Sequence, residues 1–322
     1  MNRRTFLTAS LGMLAAGAAR LPAGAAERPK SWAGTEGPAV YLTKDISPAG
    51  LRRAFDALGA RLPGKVGVKV STGEPGGHNF LSPALVKDLV QGLRANIVEC
   101  NTAYGGRRGN LRDHIRAALE HGWCDIATVD IQDGVATMDL PAPEGARHLK
   151  KDIVGANFRD YGSYLVLSHF KGHAMGGFGG ALKNLSIGFA SRAGKMYIHT
   201  AGKSERTWMG GEQVAFLESM AEAATAVCRA RPGAMAFVNV MNRLSVDCDC
   251  DSSPSEPTMR DIGILASLDP VALDQACVDL VYAAPDGANL IERMESRQGI
   301  HTVEHAAALG LGSRAYRLVE LG

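Results

Sequence analysis

The segment Lys65-Val66-Gly67-Val68-Lys69-Val70 leads through a glycine-rich loop to Ser82-Pro83, an amphipathic run to about 95, and then Asn96-Ile97-Val98-Glu99-Cys100. The first segment alternates with the two-residue period of a strand. Ser82 is a favourable helix N-cap and Pro83 suits the first helical position. The last segment is a short apolar run with β-branched residues, again a strand. Strand, helix, strand in this order is a β-α-β unit, which predicts a parallel sheet covered by helices.

Outward from that unit the alternation continues. Val40-Tyr41-Leu42 precedes a helix at about 48–60 opened by Ser47-Pro48. Leu111 to His121 reads as a helix and Asp125 to Val129 as a strand. Residues 131–160 read as strand pairs and loops. Tyr164 to Ser168 is a strand, with helices expected at about 179–190 and 212–230. Strands follow at Ala236 to Val240 and Ile262 to Ala266, a helix at Pro270 to Tyr282, and a closing strand at Tyr316 to Val319. There is no internal repeat, and residues 252–257 form an exposed loop. The expected fold is α/β: a mainly parallel sheet with flanking helices, in two lobes that meet near 140–160 with a cleft between them.

Composition agrees. In 322 residues the hydrophobic fraction is 46% and the charged fraction 21%, which excludes a disordered, collagenous or coiled-coil chain. The net charge of +2 depends on the start of the chain. Residues 1–26 hold Arg3, Arg4 and Arg20 and no acid, so without them 32 basic residues face 33 acidic ones. Nothing in that balance points to nucleic acid. Glycine, at 38 residues, is well above the usual ~7% and is concentrated in loops.

Asn2-Arg3-Arg4-Thr5-Phe6-Leu7, the weakly apolar run Leu11 to Ala19 and the small residues Ala23-Gly24-Ala25 form a signal peptide, too short to span a bilayer. The paired arginines resemble a twin-arginine (Tat) signal; an ordinary Sec signal is the alternative. The expectation is therefore a leader over 1–26, a single domain over 27–322, the Tat machinery as an export partner and a periplasmic or secreted product. Tat substrates are exported folded, often with a cofactor inserted. No later run approaches the length of a membrane span. The six cysteines permit disulfides in such a compartment.

Ligands of α/β sheets bind beyond the carboxyl ends of the strands. The segment Ser168-His169-Phe170-Lys171-Gly172-His173-Ala174-Met175-Gly176-Gly177-Phe178-Gly179-Gly180-Ala181-Leu182-Lys183-Asn184 lies there. Its glycines Gly176, Gly177, Gly179 and Gly180, a helix start and the charges of Lys171 and Lys183 suit an anion. The alternative is a tight turn that packs the helix on the sheet. His169 and His173 are transition-metal donors. Asp247-Cys248-Asp249-Cys250-Asp251 sets two thiols among carboxylates, which raise thiol pKa unless a cation offsets them. A metal held by His169, His173, Cys248 and Cys250 is such a cation, although the spacing fits no zinc finger. An acidic loop with idle or disulfide-bonded cysteines is the alternative. Glu74, Asn101 and Arg107 follow earlier strands, and Asn184, Arg192, Lys195 and His199 follow the glycine segment. All join the candidate list, and Arg107 with Arg108 would clamp an anion or stand in solvent. Neither Gly-x-Ser-x-Gly nor His-Glu-x-x-His occurs.

These segments together carry a resemblance. Gly73 to Gly76, Asn101 to Gly106, His169 to Asn184, Ala190 to Lys195, Cys248-Asp249-Cys250, Asp261 to Ala266 and Asp269 to Asp274 resemble, in order, the domain-of-unknown-function 362 family. Many members carry a ferredoxin-like insert with two Cys-x-x-Cys-x-x-Cys clusters. The insert would fall between Lys195–His199 and the helix near Glu212. Here Thr200 to Gly211 contains no cysteine, so ferredoxin-type [4Fe–4S] clusters are not expected. The glycine–lysine stretch is also distantly similar to the nickel-pincer lactate racemase family. The expectation is an exported, redox-linked metal enzyme (iron, zinc or nickel) acting on a small anionic ligand. His169, His173, Cys248 and Cys250 would hold the metal, and Lys171, Lys183 and His199 would act in catalysis. The alternative is a non-catalytic periplasmic protein that captures a metal or an anion.

Overall fold

The structure is a computed structural model that describes residues 31–208 and 210–322. The leader assigned to residues 1–26 lies outside the described residues. The chain runs β1 (Ala39–Thr43), α1 (Pro48–Ala57), β2 (Val66–Lys69), α2 (Pro83–Gly92), β3 (Asn96–Glu99), α3 (Leu111–Glu120), β4 (Val129–Ile131), β5 (Thr137–Pro141), β6 (Lys151–Gly155) and β7 (Ser163–His169). It continues through β8 (Lys171–His173), β9 (Gly177–Gly179), α4 (Ala181–Lys183), α5 (Arg192–His199), α6 (Gln213–Arg229), β10 (Met235–Met241), β11 (Gly263–Ser267), α7 (Pro270–Ala283), α8 (Ala288–Ser296), α9 (Ile300–Ala308) and β12 (Arg317–Glu320).

Eight strands form one sheet in the order β12-β1-β11-β10-β7-β2-β3-β4. Five neighbouring pairs are parallel, and β11 is antiparallel to both β1 and β10. The fold is thus α/β with a mixed, mostly parallel sheet. Its central strands are buried throughout because both faces are covered, which explains their continuous apolar sequences. Tyr164 and Val166 of β7 pack on one face with Phe189, Val271 and Leu273. Leu165 and Leu167 pack on the other with Leu51, Val86 and Leu89. Each strand therefore nails two helix layers together. Strands from both sides of residues 140–160 share this one sheet, and Ser31–Gly322 is one compact unit.

Two local expectations change. The strand expected at Asp125 to Val129 begins only at Val129. Ahead of it Trp123 is fully buried, donates its ring N–H to the Thr72 carbonyl at 3.0 Å, and starts a 3-10 turn. The helix expected at 179–190 lasts three residues as α4, widens into a π-helical turn over Asn184–Gly188, and breaks before α5. Asn184 accounts for the widening. Its amide donates to Lys69 O, Leu167 O and Ser168 Oγ on the sheet, which pulls the turn off the α-helical ladder. No helix among the described residues is long and apolar enough to cross a membrane.

From β2 the chain builds β3 and β4 to one side, and then returns to place β7 on the other side of β2. The sheet changes winding direction between β2 and β7. That is the point where α/β sheets open a crevice at the strands' carboxyl ends.

Candidate functional site

A cavity of about 820 Å³ lies at that point. Its walls come from the loops after β2, β3, β7 and β10, the four segments that the strand-end rule selects. On one wall, ring and sulfur donors of His173, Cys248 and Cys250 lie within 4.8 Å of one another. Among the described residues this is the group of three that suits a metal ion.

The donors are built by two chain segments. The short hairpin β8–β9 carries His173, and the Gly172 N–H donates to Ser245 O at 2.8 Å, drawing the loop after β10 alongside. His173 Nδ1 accepts from the backbone N–H groups of Gly176 (2.8 Å) and Met175 (3.3 Å). Nε2 is therefore the nitrogen left to face the thiols. Burial and Lys183 hold His173 below its usual pKa. The Cys248 thiol is held well below its usual pKa. The Cys250 thiol donates to it and outweighs its burial, and Lys183 and His173 add to that effect. The Cys250 N–H (3.3 Å) and Lys183 Nζ (3.7 Å) also point at its sulfur. The Cys250 thiol is correspondingly pushed up, by Cys248 and by burial. The neighbouring acids are turned to other partners, which blunts their opposition to a charged thiol. Asp249 is held by Lys171 and His169, and Asp247 by Arg293 and Ser255. All six cysteines are free thiols, so the disulfide alternative is not realised.

His169 does not join the donor group, which corrects the four-residue metal set. Its Nδ1 lies 2.8 Å from Asp249 Oδ1 and its Nε2 2.6 Å from Asn242 O, so both nitrogens are committed to acceptors. Lys171 does not project freely either. Its Nζ donates to Asp249 Oδ2 and His169 O, both at 2.8 Å. Burial opposes its charge, but Asp249 together with Cys248 and Cys250 outweighs burial and raises its pKa. Burial would raise Asp249, yet Lys171 and His169 hold that carboxyl down to about 2. The three form a closed brace under the Cys248–Cys250 loop.

Three other lysines line the cavity: Lys69, Lys183 and Lys195. Lys69 donates to Val70 O and Asn184 Oδ1, and Lys195 to Ala190 O and Cys100 O. All of these acceptors are neutral. His199 also lines the cavity, stacks on Phe216 at 4.7 Å and commits Nδ1 to Lys195 O. Burial lowers its pKa to about 4, so the ring is neutral and its Nε2 carries a lone pair.

The remaining candidates divide. Gly179, Gly180 and Asn184 line the cavity. Gly176 and Gly177 do not; a Cβ at Gly177 would come within 2.9 Å of the Gly299 Cα, so this glycine serves packing, and its φ of +78° suits no side chain. Glu74 reaches the cavity but accepts from Arg107 N, Tyr104 Oη and Arg108 Nε, and so shapes the loop after β3. Arg107 also lines the cavity, with its two terminal guanidinium nitrogens paired to Glu120. Asn101 binds Asp133 and His114, and Arg192 binds Asp133 and Gly109, away from the cavity lining. Sequence reasoning missed Lys69, Asp249 and Trp208. A lysine inside an apolar strand was the available signal for Lys69.

Fold and site together define an α/β protein with a thiol–imidazole group and unpaired lysines in a strand-end cavity. The chain belongs to the family described as domain of unknown function DUF362, matched over residues 66–279. No curated protein matches the sequence. Among solved structures it is similar to the lactate racemase apoprotein from Thermoanaerobacterium thermosaccharolyticum, with 13% identity and a TM-score of 0.42, over 62% of this chain and 50% of that one. It is also similar to a structural-genomics protein from Thermotoga maritima, with 12% identity and a TM-score of 0.40, over 81% of this chain and 58% of that one. The chain thus spans about half the length of the first and somewhat more of the second.

Proposed function

We propose that this chain is an exported, metal-dependent, redox-linked enzyme acting on a small anionic ligand in the strand-end cavity. The observation that carries this reading is the convergence of His173, Cys248 and Cys250 within 4.8 Å at a cavity also lined by Lys69 and Lys195, which have no carboxylate partner. One imidazole and two thiols are a donor set for zinc, nickel or iron. The set fits with one adjustment. A metal-bound histidine ordinarily donates its second N–H. Here Nδ1 accepts instead, so Nε2 carries the ring proton and would have to release it to solvent in order to hold a metal. A metal bound there supplies Lewis-acid or electron-transfer chemistry. The protein's own residues do the rest: Lys183 holds positive charge beside Cys248, the Lys171–Asp249–His169 brace fixes the loop, and His199 offers a neutral base.

Elemental analysis of protein purified after export tests this reading. The expected result is about one transition-metal ion per chain, lost in Cys248→Ser and Cys250→Ser and retained in Cys228→Ser. Wild-type protein that is folded, metal-free and indifferent to added zinc, nickel or iron would overturn it. Export is tested by Arg3→Lys with Arg4→Lys, which should leave the chain in the cytoplasm if the Tat route is used.

A further inference from the structure

We propose that Lys69 and Lys195 form an oxyanion anchor, a seat for a carboxylate or phosphate group on the bound ligand. The inference rests on the cavity being a binding site for a small anion, and adds which residues take the anionic group and what that group is.

Lys69 is the last residue of β2 and is 1% exposed. Lys195, on α5, is 7% exposed. A buried ammonium ordinarily finds a carboxylate, because the lost hydration is otherwise uncompensated. Neither lysine has one. Their hydrogen bonds go to Val70 O (2.6 Å), Asn184 Oδ1 (3.0 Å), Ala190 O (2.5 Å) and Cys100 O (3.5 Å). The nearby acids are spent elsewhere. Glu99 is taken by Arg108, His114 and Thr72, and Asp133 by the backbone N–H groups of Asn101 and Arg192. Burial pushes Lys69 down to about 8, with Lys195 and Arg108 adding to the fall against Glu99 and Cys100. Lys195 is lowered by the same burial. Two buried ammonium groups that line one cavity and repel each other are an arrangement that an anion relieves.

The surrounding backbone keeps that space open. The π-helical turn sets Asn184 as a fixed acceptor for Lys69 and brings Gly188 beside it. A Cβ at Gly188 would lie 2.9 Å from the Lys69 Cε and Nζ. Any side chain there would occupy the approach to the ammonium. Two of the three Lys69 hydrogens have partners, which leaves the third for a ligand oxygen.

The test is calorimetric titration of the metal-stripped full chain at neutral pH with inorganic phosphate and, separately, with succinate. Saturable binding of one anion is expected, weakened about tenfold or more by Lys195→Gln, Lys69→Gln or Gly188→Ala. Exposed Lys203→Gln should bind as wild type does. Tighter phosphate binding assigns a phosphorylated ligand, and tighter succinate binding a carboxylate. If Lys69→Gln does not fold, lysine NMR on the wild type replaces it, and anion binding should raise the Lys69 titration from about 8. No saturable binding of either anion, or equal binding by wild type and Lys195→Gln, overturns the anchor. Because no metal is present, that failure is distinct from failure of the metal reading.

Discussion

Asp249 holds two buried side chains at once, because its two oxygens take His169 and Lys171. Asp249→Ala strands both, and losing the shared partner of such a network costs about 3–5 kcal/mol. Urea unfolding should show that loss. The carboxyl is held down to about 2, so its contribution is present above the ordinary aspartate range and disappears as pH falls through 2. Asp274 has the opposite sign. It is buried, accepts from Ala181 N, Leu182 N and Asn239 Nδ2, and anchors the start of α4. Burial, against those hydrogen bonds, pushes its pKa up to about 6. Its proton-linked contribution is full below pH ~4 and is lost as pH rises through 6. Wild-type stability should therefore drop across pH 4–6 relative to Asp274→Asn, and parallel profiles would refute this. The sequence exposed the Asp-Cys-Asp-Cys-Asp run but not its pairing. Whether Asp249 faces the thiols or turns away depends on Lys171, which is far along the chain.

At the scale of elements, the β8–β9 hairpin and the loop after β10 form the donor group by lying against each other. Gly172 permits this, since a Cβ there would meet the Val246 carbonyl oxygen at 2.2 Å. Gly172→Ala should push the two segments apart, cost about 1–3 kcal/mol, and loosen metal retention together with Cys248 reactivity. Gly105→Ala, which would meet nothing within 4 Å, should leave thermal stability and metal content unchanged. Thermal melting and thiol-labelling rates distinguish the two. Helical periodicity announced a helix after the glycine segment, but not its π-helical turn, because Asn184 is drawn away by sheet carbonyls that local propensity does not include.

For the whole molecule, a second cluster, centred on the buried Glu218 of α6, ties distant segments together. Glu218 accepts from Arg147 Nη1 (2.7 Å), lies 2.6 Å from His148 Nε2 and 3.1 Å from His301 Nε2, and so links the loop before β6 to α6 and α9. Burial would raise Glu218, but the histidines outweigh it and hold the carboxyl down to about 2. Its contribution is present above the ordinary glutamate range and fades as pH falls toward 2. Glu218→Gln should melt several degrees lower at neutral pH, at roughly 2–4 °C per kcal/mol, with the gap closing in acid. A constant gap across that range would reject the ion-pair account.

The sequence by itself determined the α/β class, the strand-end position of the site and the residue types gathered there. These follow from periodicity and from the geometry of parallel sheets, both local properties. Only the tertiary structure decided that His173 joins Cys248 and Cys250 while His169 turns to Asp249. It also decided that Lys69 and Lys195 are left without counter-charges. Those outcomes depend on which partners reach each buried polar atom across long separations in the chain, and chain folding alone sets that competition.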